Sequence, residues 1–202
     1  MSATNLAGWS RKLKPRSHRN RRPVLPPLLL LTDEVRLPDP AAAIARLPRG
    51  AGVILRHYGA ADRRALACRL AALCKRRGLF FLVAGDAVLA RQAGADGLHL
   101  PERALYRRPP PRNPCWIVTA AAHSLPAIRR ARAMEVDAVL VSPIFPTASH
   151  PGAAVLGPRR LAGWTRMAGI PVYALGGVNA GTIRRLKGIG LAGIAAIGGL
   201  AP

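Results

Sequence analysis

Several polar side chains of this sequence follow directly on short apolar runs. Thr32, Asp33 and Glu34 come after Leu28 to Leu31, Arg56, His57 and Tyr58 after Val53 to Leu55, and Asp86 after Leu82 to Ala84. His99 and Glu102 flank Leu100, His123 and Ser124 follow Ala120 to Ala122, and Ser142 follows Val139 to Val141. Together they supply a cation, carboxylates and imidazoles, enough for anion binding and acid–base work. Two further apolar runs, Ile170 to Leu175 and Ala192 to Ile197, stop at paired glycines, Gly176-Gly177 and Gly198-Gly199. Glycine-rich turns that expose backbone N–H groups hold phosphate, so the pattern points to a phosphorylated small molecule. Structural roles compete at each position. Arg56 can cap a strand end by pairing with Asp33 or Asp86, His99 can be a hydrogen-bonded core histidine, and the glycines can simply make tight turns. His123 can pack at a strand end beside Ser124, a candidate N-cap, although the Ala120 to Ala122 run leaves space in front of it. Cys68 and Cys74 read as buried small apolar groups.

Positioning these residues falls to an alternation of strand-length apolar runs with Ala/Arg/Leu segments of helical length. The predicted strands are Leu28 to Thr32, Gly52 to Arg56, Leu79 to Ala84, Gly97 to His99, Trp116 to Thr119, Ala138 to Val141, Pro171 to Ala174 and Gly193 to Ala196. Helices are predicted at Pro40 to Leu47, Ala61 to Arg77, Ala87 to Ala93, Leu125 to Met134, Pro158 to Met167 and Ala180 to Lys187. The crossover Pro101 to Pro114 holds five prolines and reads as irregular. Strand–helix alternation gives a parallel sheet with helical crossovers. Eight strands, with glycine pairs after the seventh and eighth, favour a compact (β/α)₈ TIM barrel with a truncated last helix. A doubly wound open sheet is the alternative. No repeat of 20 to 50 residues is evident.

The chain has 202 residues and a formal net charge of +22, from 31 Lys and Arg against nine acids. Such a surplus attracts polyanions, so a nucleic-acid-associated basic protein is a competing class. Against it, aromatic content is 4% and there is no stacking or groove-reading motif. Residues 1–26 read as a disordered basic arm, with seven basic residues between Arg11 and Arg22, and residues 27–202 as the barrel. Three cysteines without metal-ligand spacing fit a reduced compartment. Neither a signal peptide nor a membrane anchor is evident, and the expected location is cytoplasmic. An almost absent eighth helix leaves the outer face of the eighth strand short of cover, so either a partner subunit, giving a homo-oligomer, or the N-terminal segment is expected to pack there.

Taken in order, these motifs resemble the family of thiamine phosphate synthase and the related thiazole tautomerase. The resemblance runs from about Leu28 to Gly199 and rests on Leu30-Leu-Thr-Asp33, Val53-Ile-Leu-Arg56, Gly94 to Leu100, Ala122-His-Ser124, Val141-Ser-Pro-Ile-Phe-Pro-Thr147 and Ile170 to Gly177. It implies a barrel that binds a thiazole phosphate. For the synthase it also implies a pyrimidine diphosphate bound through Mg2+ and joined to the thiazole with loss of pyrophosphate. On that resemblance Arg56 meets the diphosphate, Asp86 is the first magnesium carboxylate, and His123 is a candidate catalytic residue. Ser142, Thr147, Gly176, Gly177, Gly198 and Gly199 then hold substrate phosphate.

The sequence departs from the synthase pattern at several of these positions. Tyr58 stands for a lysine, Ile54 for a glutamine, Gly85 for an asparagine, Ala121 for a serine and His150 for a lysine. The second magnesium aspartate is Ala104, with Glu102 as a shifted candidate ligand. Loss of one carboxylate and two cations weakens the leaving-group stabilisation the synthase needs. A metal-independent tautomerase, or a non-catalytic thiazole-phosphate binder, is therefore the alternative, with His123 as the proton-moving base.

Overall fold

The computed structural model describes residues 24–107, 113–147, 152 and 154–197. Eight parallel strands close into a barrel in sequence order: β1 (Leu28–Leu31), β2 (Gly52–Leu55), β3 (Phe80–Ala84), β4 (Gly97–Leu100), β5 (Ile117–Ala122), β6 (Ala138–Val141), β7 (Val172–Leu175) and β8 (Gly193–Ala196). Pairing of β8 with β1, Leu28 opposite Ile194, completes the ring and excludes the open sheet. The helices are α1 (Pro40–Ile44), α2 (Arg63–Arg77), α3 (Ala87–Gln92), α4 (Leu125–Ala133) and α5 (Gly157–Ala168). Short 3₁₀ turns at Glu102–Tyr106 and Ile183–Leu186 make the fourth and seventh crossovers.

Strand side chains alternate between two apolar regions. Leu29, Leu31, Ile54, Leu82, Ile117, Leu140 and Tyr173 fill the barrel interior, while Leu28, Leu30, Val53, Leu98, Val139 and Val172 pack outward against the helices. The base of the interior is tied by Tyr173, whose buried hydroxyl donates to the Pro26 carbonyl at 2.7 Å. Continuing the same alternation past the strand ends sends Asp33, Arg56, His99, His123 and Ser142 toward the upper mouth of the barrel.

Helix α2 shows how the outer layer forms. Its Ala, Leu, Arg and Lys residues are strong helix formers, and Asp62 caps its start by accepting from the Ala65 N–H at 2.8 Å. Gly78 ends it in a left-handed conformation, with Lys75, Arg76 and Arg77 in the last turn facing the negative end of the helix dipole. Ala67, Leu70 and Cys74 form its buried edge. Cys68, by contrast, is exposed, so only one of the two cysteines expected to be buried there is.

One crossover and one strand differ from expectation. The segment Ala180 to Lys187 is a single 3₁₀ turn, because the Asn179 side chain accepts the N–H groups of Gly181 and Thr182 and holds the chain in a local turn. Gly188 and Gly190, both at positive φ, then prevent helical continuation. Strand β5 is longer than expected, because Ala120, Ala121 and Ala122 pair with Val139, Leu140 and Val141 of β6. The basic arm expected over residues 1–26 lies, apart from 24–26, outside the described residues, as do Gly198, Gly199, His150 and the end of the chain.

Candidate active site

A cavity of about 820 Å³ opens at the C-terminal ends of the strands, within the range of a small-molecule site. Arg56, Glu102, His123, Ser142, Thr147 and Gly176 all line it. The alternation described above brings Arg56, His123 and Ser142 there, and Ala121, the small residue one interior position below His123, leaves the space in front of the imidazole.

Arg56 occupies the end of β2. Its guanidinium donates to Asp33 Oδ2 at 2.7 Å, and its backbone N–H donates to Thr32 Oγ1 at 3.0 Å. The ion pair with Asp33 is therefore present, yet Arg56 still lines the cavity. Asp33 also receives Arg36, whose Nη2 lies 2.8 Å from Oδ2. Desolvation alone would raise the Asp33 pKa, but the hydrogen bonds and charge of Arg36, with the charge of Arg56, hold it below the ordinary carboxylate value. Two guanidiniums on one carboxylate leave the cluster with a net positive charge.

His123 continues the inward face of β5. Its Nδ1 lies 2.9 Å from the Ser142 carbonyl oxygen and 3.2 Å from Ser142 Oγ. A carbonyl only accepts, so in the neutral imidazole Nδ1 carries the proton and Nε2 keeps a free lone pair. The backbone N–H of His123 donates to Glu102 Oε2 in a short hydrogen bond. Ser124 caps α4 through the Ala127 N–H, so the helix-starting role expected next to His123 is also real. Deeper in the barrel His99 meets Thr119 Oγ1 at 2.9 Å, and burial pushes its pKa down to about 3. It forms part of the cavity floor as a neutral side chain.

Gly176 and Gly177 join β7 to the loop after β6. Both have positive φ, at 90° and 67°. A Cβ on Gly176 would lie 2.9 Å from Pro143 Cα, and one on Gly177 2.5 Å from the Pro146 carbonyl oxygen. Phe145 N–H donates to Gly176 C=O at 3.0 Å, and Thr182 Oγ1 to Gly177 C=O at 2.9 Å. The glycines thus let the Pro143 to Thr147 loop lie directly on the β7 turn, in addition to any contact with a ligand. Gly176 lines the cavity; Gly177 lies behind it.

Asp86 does not stand where the resemblance put it. Gly85, with φ of 73°, turns the chain after β3, and Asp86 becomes the N-cap of α3. Its Oδ1 accepts from Val88 and Leu89 N–H at 3.0 and 2.8 Å. Its Oδ2 faces Arg63 at 3.9 Å, and the residue is not on the cavity wall. Ala104 has no donor, and Glu102 is engaged with the His123 backbone. Among the described residues no three His, Cys, Asp or Glu side chains form a group able to hold a metal. The donor set thus does not fit the magnesium site that the resemblance implies.

Two cavity residues have no counterpart in the sequence reading. Arg160 and Trp164, four residues apart on α5, both face the cavity. The available signal was positional: the first turns of helices that follow strands lie at the same end of the barrel as the strand ends, and i, i+4 residues share a face.

A family profile described as thiamine monophosphate synthase matches residues 34–200 of this chain. The chain belongs to the thiamine monophosphate synthase family. A thiamine-phosphate synthase relative of Aquifex aeolicus is 38% identical over 133 residues, 65% of this chain and 72% of that protein. The thiamine-phosphate synthase of Thiobacillus denitrificans is 34% identical over 143 residues, 69% of this chain and 68% of that protein. Thiamine phosphate pyrophosphorylase from Pyrococcus furiosus superposes with a TM-score of 0.70 at 25% identity, covering 93% of this chain and 87% of that one. No helix among the described residues is long and apolar enough to cross a membrane.

Proposed function

We propose that this chain is a cytoplasmic transferase of thiamine biosynthesis that joins a pyrimidine diphosphate to a thiazole phosphate and releases pyrophosphate. The observation that carries this reading is one cavity with two polar walls, Arg56 at the end of β2 and Ser142, Thr147 and Gly176 on the other side. A substrate pair with an anionic group at each end fits that division. The bond between the pyrimidine methylene carbon and the diphosphate oxygen breaks, and both electrons leave with pyrophosphate. The thiazole nitrogen lone pair then forms the new carbon–nitrogen bond to the methylene cation. Arg56 offsets the charge that develops on the leaving oxygen. Leu140, Leu175 and Trp164 line the cavity with apolar surface and keep water from the cation. The β7 turn at Gly176 and Gly177 and the hydroxyls of Ser142 and Thr147 are the proposed seat of the thiazole phosphate. Incubation with both substrates, dephosphorylation and oxidation to fluorescent thiochrome tests this; absence of product at saturating substrates refutes it.

One observation favours a second reading. The hydrogen bond from His123 Nδ1 to the Ser142 carbonyl leaves Nε2 as a base at the cavity wall, as proton transfer in a thiazole tautomerase needs. Conversion of a thiazole carboxylate phosphate tautomer, followed by its ultraviolet absorbance, separates the two.

A further inference from the structure

The one oxygen of Asp86 left over from the helix cap faces a cation of the chain's own, Arg63. Arg63 is held by two contacts: its Nη2 donates to the Ala84 carbonyl at 2.7 Å, and its guanidinium lies over the Tyr58 ring, 5.2 Å from the centroid. From there its Nη1 faces the one oxygen of Asp86 that does not cap α3. Tyr58 lines the cavity, whereas Arg63 and Asp86 do not. A metal ion drawn to Asp86 would have to displace a guanidinium, which carries its positive charge at all working pH values, and would find Ala104 where a second carboxylate is needed.

Cationic groups reach the cavity elsewhere. Arg56 shares Asp33 with Arg36, so this group presents a net positive charge at one wall. Arg160, in the first turn of α5, also lines the cavity, and among the described residues it has no hydrogen bond or ion pair. An unpaired guanidinium gives up no protein partner when it takes an anion, and its planar N–H groups match phosphate oxygens two at a time.

We propose that this chain binds the diphosphate of its substrate without a divalent cation. Arg56 and Arg160 contact the diphosphate directly, and Arg63 stands as the cation facing Asp86. This rests on the diphosphate substrate of the synthase reading.

Calorimetric titration of the full-length protein with inorganic pyrophosphate, in EDTA and in excess MgCl2, tests the proposal. Binding in EDTA is expected to be as tight as in Mg2+ or tighter, because free Mg2+ competes for pyrophosphate in solution. Arg160→Gln is expected to weaken it by about 10- to 100-fold, the usual worth of a lost charge-assisted contact. Asp86→Asn, which keeps a good helix cap, is expected to leave the affinity within about twofold, because the cap and not the charge is its contribution. Circular dichroism confirms that both variants are folded. Binding that requires Mg2+, that disappears in Asp86→Asn, that is indifferent to Arg160→Gln, or that is absent in both buffers overturns the proposal. Thiochrome formation measured in parallel keeps the two readings apart. Product formed with Mg2+ but no pyrophosphate binding in EDTA removes metal independence and leaves the synthase. Pyrophosphate binding in EDTA without product from the two substrates removes the synthase and leaves the anion site.

Discussion

Replacing Gly177 by alanine probes why the β7 strand ends in paired glycines. Two costs add at this position. The backbone sits at φ of 67°, and an L-residue in the left-handed region costs about 1–2 kcal/mol. The new Cβ would also lie 2.5 Å from the Pro146 carbonyl oxygen and 2.7 Å from the Phe145 carbonyl oxygen. These are backbone atoms, so the Pro143 to Thr147 loop has to shift, and such overpacking costs about 1–3 kcal/mol. Gly188 supplies the control: its φ is 80°, yet nothing lies within 4 Å of its Cβ position, so Gly188→Ala carries only the conformational cost. For a domain of this size about 1 kcal/mol lowers Tm by about 2–4 °C. Gly177→Ala is then expected to melt about 4–20 °C below wild type and Gly188→Ala about 2–8 °C below. Thermal melts by circular dichroism read the difference. Displacement of Thr147 should also raise KM for thiazole phosphate in the Gly177 variant alone. A Gly177→Ala protein that melts no lower than Gly188→Ala would refute the close packing of the two loops.

His123→Gln is expected to lower tautomerase turnover by about 10²- to 10⁴-fold if His123 is the base, with synthase turnover much less affected; steady-state assays of both reactions compare them. Asp86→Ala removes the α3 cap and is expected to cost about 1 kcal/mol of stability, read as a small fall in Tm. Acidification should destabilise the protein through His99, whose native pKa of about 3 lies below its unfolded value near 6.5. The unfolded chain takes up a proton that the native state refuses, so stability is complete above about pH 6.5. It falls by up to about 1.4 kcal/mol per pH unit between about 6.5 and 3. Urea denaturation at a series of pH values checks this, and His99→Gln should flatten the slope. Only seven of the 31 Lys and Arg lie between Arg11 and Arg22, so deleting residues 1–23 should weaken salt-dependent RNA binding without abolishing it, as filter binding would show.

The barrel was legible because its signal is repetitive: each buried strand is a short Val/Ile/Leu/Ala run, and eight of them alternate with Ala/Arg/Leu segments. Strand ends shifted by a residue or two where alanine, with little strand preference of its own, is recruited by a neighbour, as Ala120 to Ala122 are by β6. The last predicted helix was lost to a side-chain turn at Asn179. At the site, phase was informative. Arg56, His123 and Ser142 lie at interior positions and do reach the cavity. Asp86 has the same phase, but the turn at Gly85 redirects it into a cap, which periodicity alone does not reveal. Arg160 and Trp164 stayed hidden because they belong to a crossover helix, whose charged and aromatic residues read as surface and core until the helix is placed. The pairing of Arg63 with Asp86 and Tyr58 joins residues 23 and five positions from Arg63, a proximity that only the fold creates.

A crystal structure of the protein grown with thiazole phosphate tests the central claim most directly, because both enzymatic readings require that ligand in the same cavity. The account predicts the phosphate against the β7 turn at Gly176 and Gly177, within hydrogen-bond reach of Ser142 or Thr147, and the thiazole ring facing His123. A ligand bound outside the mouth of the barrel, or a cavity that stays empty at saturating ligand, would contradict it.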